Sequence, residues 1–524
     1  MFLKHANDLD GSTSAAGRVV VIGSGAVGMY TATELARRGR DVVLLEAGGL
    51  ALGRFDPASY RCIGRAHEGV ESGRSRTLGG TTNLWGGQLS EFDAIDLGTR
   101  AVHPEGWPIA FSELAIFYRK AYESLGIPET VQRDDDVWKS IRARRPQIGN
   151  GLEVFLTRWL PTPSFALWAR DELEQRTNLC VLTDHTAVGF RGTDARIDAV
   201  TVVDRSGAEQ EIAGSTFVLA AGTIETARLL LHTADSSSWR APWSGNRWLG
   251  ARFQDHLGGR IADVHPTDSS RFFKTFSNLL VARRKYQPKF QLDPGARAGG
   301  DALNVHGMFA FESSISENLV YLKQFVKSAV YGRQIGGLRS LAANVRASGR
   351  YLLPLMWTYA KDHRIFEPST SRISLFVQME QIPRDDSTIR IDPSRRERTG
   401  LPQVVLDWRI DGAEIEALRD FALRTDRALR EVGLARLEID DELLRGDPAF
   451  LARLRDTNHQ SGGAIMASSS SRGVVDSDLL VYGTENVYVA GAATFPAIGA
   501  ANTTFTALAL SARLVDTLTS HDGA

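Results

Sequence analysis

Val19-Val20-Val21-Ile22-Gly23-Ser24-Gly25-Ala26-Val27-Gly28 sets four apolar residues directly before a glycine-rich turn. Its four apolar residues have the length of a buried strand. Ala26 to Arg38 then carries Val27, Tyr30 and Leu35 on one face of a helix that Gly39 ends. Between strand and helix, Gly23 permits a tight turn, Gly25 lets the backbone approach a pyrophosphate, and Gly28 allows close helix–strand packing. The helix start at Ala26 and Val27 offers free N–H groups and the positive end of a dipole to phosphates. Asp41 to Glu46 reads as a second strand. It ends in an acid, followed by Ala47, about 20 residues after the glycines, where a carboxylate binds ribose hydroxyls. The glycines alone are weak evidence, because a plain tight turn has the same pattern. Strand, glycines, helix, strand and acid in register predict a dinucleotide site, without choosing between NAD and FAD.

At 524 residues the chain exceeds what one hydrophobic core usually serves, so two domains are expected. The 43% hydrophobic and 23% charged content is that of a soluble globular protein, and the net charge of −1 gives no general attraction to nucleic acid. Cys62 and Cys180 are too few for a disulfide scaffold or a multi-cysteine cluster on this chain. Met1 to Gly17 lacks the pattern of a secretory leader, and no apolar run approaches the roughly 20 residues that span a bilayer. A cytoplasmic protein is the expectation. No His, Cys or carboxylate grouping has metal-ligand spacing, so no metal is expected.

Arg76-Thr77-Leu78-Gly79-Gly80-Thr81-Thr82-Asn83-Leu84-Trp85-Gly86-Gly87 is too rich in glycine for a helix or a regular strand. A flexible surface loop would leave Leu78, Leu84 and Trp85 in water, which favours backbone packed on a flat ligand. Ser215 to Gly222 reads as a buried strand ending in small residues, and Thr223 to Leu230 opens the next helix.

With these segments the sequence resembles the glucose–methanol–choline (GMC) family of FAD-dependent oxidoreductases. The resemblance is carried by GSGAVG with Glu46, RTLGGTTNLWGG, AAGTIETARLLL, Leu249-Gly250 and Gln254-Asp255-His256. A closing block runs from Asn458-His459 through Gly473-Val474-Val475-Asp476 to Phe495-Pro496 and Ala501-Asn502. Asn502 stands where many members have a second histidine, which leans toward the pyranose oxidase and sugar oxidoreductase branch.

The resemblance implies an α/β and α+β fold: a Rossmann-like FAD-binding domain with an antiparallel-sheet substrate domain, the p-hydroxybenzoate-hydroxylase-like architecture. It places Gly79, Gly80, Thr81 and Thr82, in one loop with Arg76 and Asn83, beside the isoalloxazine and pyrophosphate. Ala187, Ala221 and Gly222 would approach the adenine side. Gly491 and Ala492 would reach the pyrophosphate and ribityl chain, and Asn502 and Thr503 would also touch the cofactor. Members with covalent flavin carry a histidine at the position of Leu84, so non-covalent FAD is expected.

Alcohol oxidation needs a base for the hydroxyl proton, and neutral imidazole suits that task. The resemblance gives that role to His459, with Asn502 beside it as a hydrogen-bond donor to the substrate oxygen. The plainer reading of His459 is a hydrogen-bonded loop residue. Ala464 and Ile465 depart from the Thr and Arg common after the glycines in the family. His256 is expected in a structural turn near the cofactor and His103 in a linker, while His67, His185 and His363 show no partner pattern.

Residues 1–105, 180–260 and 456–524 are assigned to the FAD-binding domain, and 106–179 and 261–455 to the substrate domain. Arg372 to Glu380, Ser387 to Ile391 and Val404 to Arg409 read as strands of an antiparallel sheet roofing the flavin, and Ala413 to Val432 as an amphipathic helix. Gln378, Glu380 and Gln381 face either the pocket or solvent. The basic segment 318–362 fits three readings: a helical hairpin on the core, a lid or oligomer contact, or a membrane-surface helix. The expected function is oxidation of a CH–OH group on a sugar, glycoside or polyol, with O2 or a redox partner as electron acceptor. The alternatives are a non-sugar alcohol, such as a sterol or aryl alcohol, and a non-redox flavin-containing lyase.

Overall fold

Val19–Ile22 is the central strand of a five-stranded parallel sheet in a computed structural model. The structure describes residues 17–53, 56–235, 239–297, 303–312, 352–368 and 371–520. The strand order is Val487–Val489, Thr216–Leu219, Val19–Ile22, Val42–Leu45, Leu179–Leu182. Register pairs Val19 with Thr216 on one side and with Val42 on the other. A parallel sheet covered on both faces needs apolar residues at consecutive positions, and Val19–Ile22, Val42–Leu45 and Leu179–Leu182 are buried throughout. The chain's last helix, Thr503–Ser520, packs on the first, Ala26–Arg37, so the two ends of the sequence close one domain.

Phe111–Ser124, grouped above with the substrate domain, packs instead against Thr503–Ser520. Its buried Leu114, Tyr118, Ala121 and Tyr122 recur at helical spacing. They need an apolar partner, and Phe505 supplies one, 5.2 Å from the Tyr118 ring and 4.4 Å from that of Tyr122.

The second large sheet is antiparallel and runs Ala435–Ile439, Leu257–Pro266, Arg372–Met379, Val305–Glu312, Arg284–Leu292, Leu152–Trp159, Gln88–Leu89. Its two faces differ as period-2 alternation requires. Val154, Phe290, Phe309 and Leu375 bury one face under the helix Glu414–Glu431, whose Phe421 ring stacks on Phe290 at 5.7 Å. The opposite face carries Thr157, Gln287, Lys289, His306 and Gln378.

Most of the basic segment 318–362 lies outside the described residues. Its end is a helix, Leu352–Asp362, with Leu353, Met356 and Trp357 exposed. His103 is no linker residue: it is buried, exchanges backbone hydrogen bonds with Arg100, and burial pushes its imidazole down to about 4. Among the described residues no helix is long and apolar enough to cross a membrane.

Candidate active site

A cleft opens where the parallel sheet, the Gly80–Asn83 turn and the 458–460 segment meet. Gly25, Gly222 and Gly491 wall it, and at each of them a Cβ would meet nothing within 4 Å. A cradle of bare backbone is what a dinucleotide requires. Gly23 and Gly28 do the opposite work. A Cβ on Gly28 would lie 1.8 Å from the Gly23 carbonyl oxygen, and one on Gly23 would lie 2.6 Å from that of Ala220. The helix starting at Ala26 has no side-chain cap and no acid in its first turn, which leaves its N–H groups to an anion.

Glu46 lines the cleft, and burial pushes its carboxyl above the usual carboxylate range. Its oxygens accept from the Ser24 amide at 3.2 Å, the Ser24 hydroxyl at 2.6 Å and the Gly48 amide at 2.8 Å. The glycine-rich loop docks on this first turn through the Gly79 amide, which donates to Ser24 Oγ at 3.2 Å. Residues Gly80–Asn83 form a 3-10 turn rather than an irregular loop. Gly80, Thr81 and Thr82 line the cleft, whereas Asn83 shapes the turn from behind by donating to the Leu78 carbonyl at 2.9 Å. Ala26, Val27, Ala47, Arg76, Ala187, Ala221, Ala492 and Thr503 also line it, and Arg76 is paired with Glu397 at 3.0 Å. His185 and Thr186, which stand in no motif, and Asn458, which the closing block contains without an assigned role, also line the cleft.

His459 sits between two residues of the cleft wall, Asn458 and Gln460. Its loop is fixed by Asp255, whose carboxylate accepts from the backbone amides of Thr457 at 3.2 Å and His459 at 3.0 Å. The other Asp255 oxygen meets His67 Nε2 at 3.0 Å. Burial opposes the Asp255 charge, but the His67 hydrogen bond and the nearby imidazoles hold its carboxyl below the usual range. Asn458, held between these two tethers, takes a left-handed φ of 64°.

The ring of His459 meets a second histidine. His256 Nδ1 lies 2.9 Å from His459 Nδ1. His256 Nε2 faces two backbone carbonyls, Gly499 at 3.1 Å and Ile498 at 3.4 Å. Carbonyl oxygens only accept, so Nε2 of His256 carries its proton. Burial pushes this imidazole down to about 4, so it is neutral and its Nδ1 is a lone pair. His459 therefore donates from Nδ1, with Thr457 Oγ1 also in reach at 2.7 Å, and its Nε2 is a bare base. Burial, then His256, push His459 down to about 3, which keeps it unprotonated at neutral pH.

Asn502 is oriented by a similar chain. Gln378 Nε2 donates to the Ala500 carbonyl at 2.7 Å and to Asn502 Oδ1 at 3.2 Å. The Asn502 amide then donates to Gln88 Oε1 at 3.3 Å, which leaves it a second N–H. His256 and Gln378 both engage the 498–502 turn, and that turn brings the elements of His459 and Asn502 together. Glu380 and Gln381 point elsewhere. Glu380 forms a two-pronged pair with Arg100 at 2.6 and 2.7 Å, and Gln381 accepts from Trp408 Nε1 at 2.7 Å.

His256 and His67, read from sequence as a turn residue and as partnerless, thus belong to the network behind His459. Among the described residues, Asp255–His256–His459 and His67–Asp255–Asp456 each bring three ligand atoms within 4.8 Å of one another. Those atoms are engaged in the hydrogen bonds above and in those that Asp456 accepts from the Glu68 and Gly69 amides, and no ion is assigned.

The parallel sheet, the open cradle and the antiparallel roof define a dinucleotide-binding protein with a separate substrate-side sheet. Residues 18–280 match the family described as FAD dependent oxidoreductase, and residues 383–511 match GMC oxidoreductase. The chain belongs to the GMC family of FAD-dependent oxidoreductases, and FAD is its cofactor. It is 24% identical to the 2-methyl-1,2-propanediol dehydrogenase of Mycolicibacterium austroafricanum over 95% of this chain and 94% of that one. It is 23% identical to the fructose dehydrogenase large subunit of Gluconobacter japonicus, over 62% of this chain and 51% of that protein, about half its length. In fold it resembles pyridoxine 4-oxidase from Mesorbium loti, with a TM-score of 0.55 and 16% identity over 97% and 99% of the two chains.

Proposed function

We propose that this enzyme oxidises a CH–OH group of a sugar, glycoside or polyol to a carbonyl, with His459 as base and Asn502 as hydrogen-bond donor to the substrate oxygen. The bare Nε2 of His459, left so by the carbonyl–His256–His459 chain, carries this reading. Nε2 takes the hydroxyl proton. The positive charge that follows is attracted by the Asp255 carboxylate. Asn502, held by Gln378 and Gln88, turns its remaining N–H to the oxygen and fixes which carbon faces the cofactor. Bound FAD supplies the hydride acceptor.

In the cradle, the first-turn amides at Ala26 and Val27 hold the pyrophosphate, Glu46 takes ribose hydroxyls, and the Ala187 and Gly222 backbones flank the adenine. Leu84 offers no nucleophile, so FAD is held without a covalent bond. The curated relatives, named for fructose and for a diol, support a polyhydroxy substrate. O2 or a redox partner accepts the electrons.

Anaerobic mixing with a panel of sugars, polyols and aryl alcohols tests this reading. Bleaching of the flavin band by a sugar or polyol is the expected result. Bleaching by aryl alcohols alone, or turnover without reduced flavin, would overturn it. Peroxide and dye readouts run in parallel identify the acceptor.

A further inference from the structure

The polar face of the antiparallel sheet carries a cation whose purpose the base chemistry does not explain. Lys289, on the Arg284–Leu292 strand, is 1% exposed. Two residues before it on the same face, Gln287 Oε1 accepts from Gln88 Nε2 at 2.7 Å, and Gln88 accepts from Asn502. Two hydrogen bonds therefore link Asn502 to the strand and face that hold Lys289. Across the register Lys289 faces Phe155, whose ring lies 4.7 Å from that of His306. His306 is buried, pairs in register with Gln378, and its Nδ1 has no hydrogen-bond partner.

Among the described residues no carboxylate forms an ion pair with Lys289; burial alone draws its ammonium down to about 8. A buried ammonium without an anionic partner is costly unless something of opposite charge arrives. His306 offers no such charge: burial, then Lys289 itself, hold its imidazole far below the usual range and therefore neutral. The cation also acts on His459, which it helps to keep unprotonated.

We infer that Lys289 is a substrate-recognition residue that pairs with a carboxylate on the alcohol, so that hydroxy acids of the sugar or polyol series are preferred. The inference rests on the alcohol-oxidising reading of the His459 site. Two strand spacings, roughly 10 Å, separate the strand of Gln378, which orients Asn502, from that of Lys289. A hydroxy acid with its carboxylate several carbons from the reacting carbon bridges that gap. The same cation repels alcohols that carry ammonium groups.

The test is a titration of the FAD-loaded enzyme with non-oxidisable probes, acetate and benzoate against acetamide and benzamide, followed through the flavin absorption band. The native enzyme is expected to bind each carboxylate at least tenfold more tightly than its amide. Lys289→Met and Lys289→Gln lose that preference, and Lys289→Arg keeps part of it; FAD content reports folding for each variant. Equal binding of carboxylate and amide by the native enzyme, or an undiminished preference in a Met or Gln variant that holds FAD, overturns the inference. If a neutral polyol bleaches the flavin while carboxylates show no preference, only the Lys289 inference falls. If carboxylates are preferred and no alcohol bleaches the flavin, the alcohol-oxidising reading fails.

Discussion

The Nδ1 atoms of His256 and His459 lie 2.9 Å apart, and one proton serves both. That proton belongs to His459 because the Gly499 and Ile498 carbonyls claim the other nitrogen of His256. His459→Ala is expected to keep FAD and to slow flavin reduction by about 10²–10⁴-fold, the usual worth of a positioned base. His256→Leu removes the acceptor and frees the His459 ring, for a loss of about 10–100-fold, the range seen when a partner orienting an imidazole is removed. His256→Asn returns an acceptor near the same place and recovers most of that loss. Stopped-flow reduction with the best substrate measures all three; a native rate in His256→Leu would sink the tautomer argument.

Gly25 and Gly28 separate ligand space from packing space. A Cβ at Gly25 meets nothing within 4 Å, and its φ of −64° suits any residue. Gly25→Val is therefore expected to give a folded protein with native thermal stability in the apo state that binds FAD at least tenfold more weakly. A Cβ at Gly28 lies 1.8 Å from a backbone oxygen, so Gly28→Ala must push helix from strand and lower the stability of the apoprotein itself. Flavin fluorescence titration beside thermal unfolding distinguishes the two effects.

The strand–glycine–helix unit was legible because its meaning lies in spacing along ten neighbouring residues. The network behind His459 was not. Gln254 exchanges backbone hydrogen bonds with Ser461, about 200 residues on, and that pairing, with the Leu257–Asp456 register beside it, sets Asp255 and His256 against the His459 loop. Nothing in either segment announces the other; the resemblance supplied His459 and Asn502 but not the side chains that orient them. Alternation along Arg372–Met379 was read correctly as a strand, yet it left Gln378 and Glu380 equivalent. The strand stops at Met379, the Glu380 amide donates to the Asn304 carbonyl, and its side chain turns to Arg100.

Acid should weaken the fold through its buried histidines, at pH values above the ordinary carboxylate range. His103 and His256 are buried and neutral, each pushed by burial to about 4 from an ordinary value of 6.5. Between those values the unfolded chain binds protons that the native chain refuses. Stability is therefore full above about pH 7 and falls as pH drops through 6.5 toward 4, by about 1.4 kcal/mol per pH unit for each histidine. Urea unfolding from pH 8 to pH 5 measures the slope, and His103→Gln is expected to remove one histidine's share. An unchanged slope would place the proton uptake elsewhere.

Arg100 and Glu380 join the loop before the Phe111–Ser124 helix to the end of the substrate-side sheet, with side chains only 3% and 2% exposed. Both carboxylate oxygens are used on the guanidinium, and one also accepts from the Asn304 amide at 2.6 Å. Asp96 offers a poor substitute partner, because burial and the neighbouring Asp93 and Glu380 push its carboxyl up to about 7. Glu380→Leu strands a buried guanidinium and an amide, for an expected loss of about 3–5 kcal/mol. Removing Glu380 also relieves Asp96 of one like charge, so it ionises more readily and recovers a little of that loss. Arg100→Met with Glu380→Leu leaves no charge stranded, and the double variant is expected to be more stable than Glu380→Leu alone. Urea unfolding of the two FAD-loaded variants decides it: a double variant weaker than the single one would mean that the pair acts through packing, not charge.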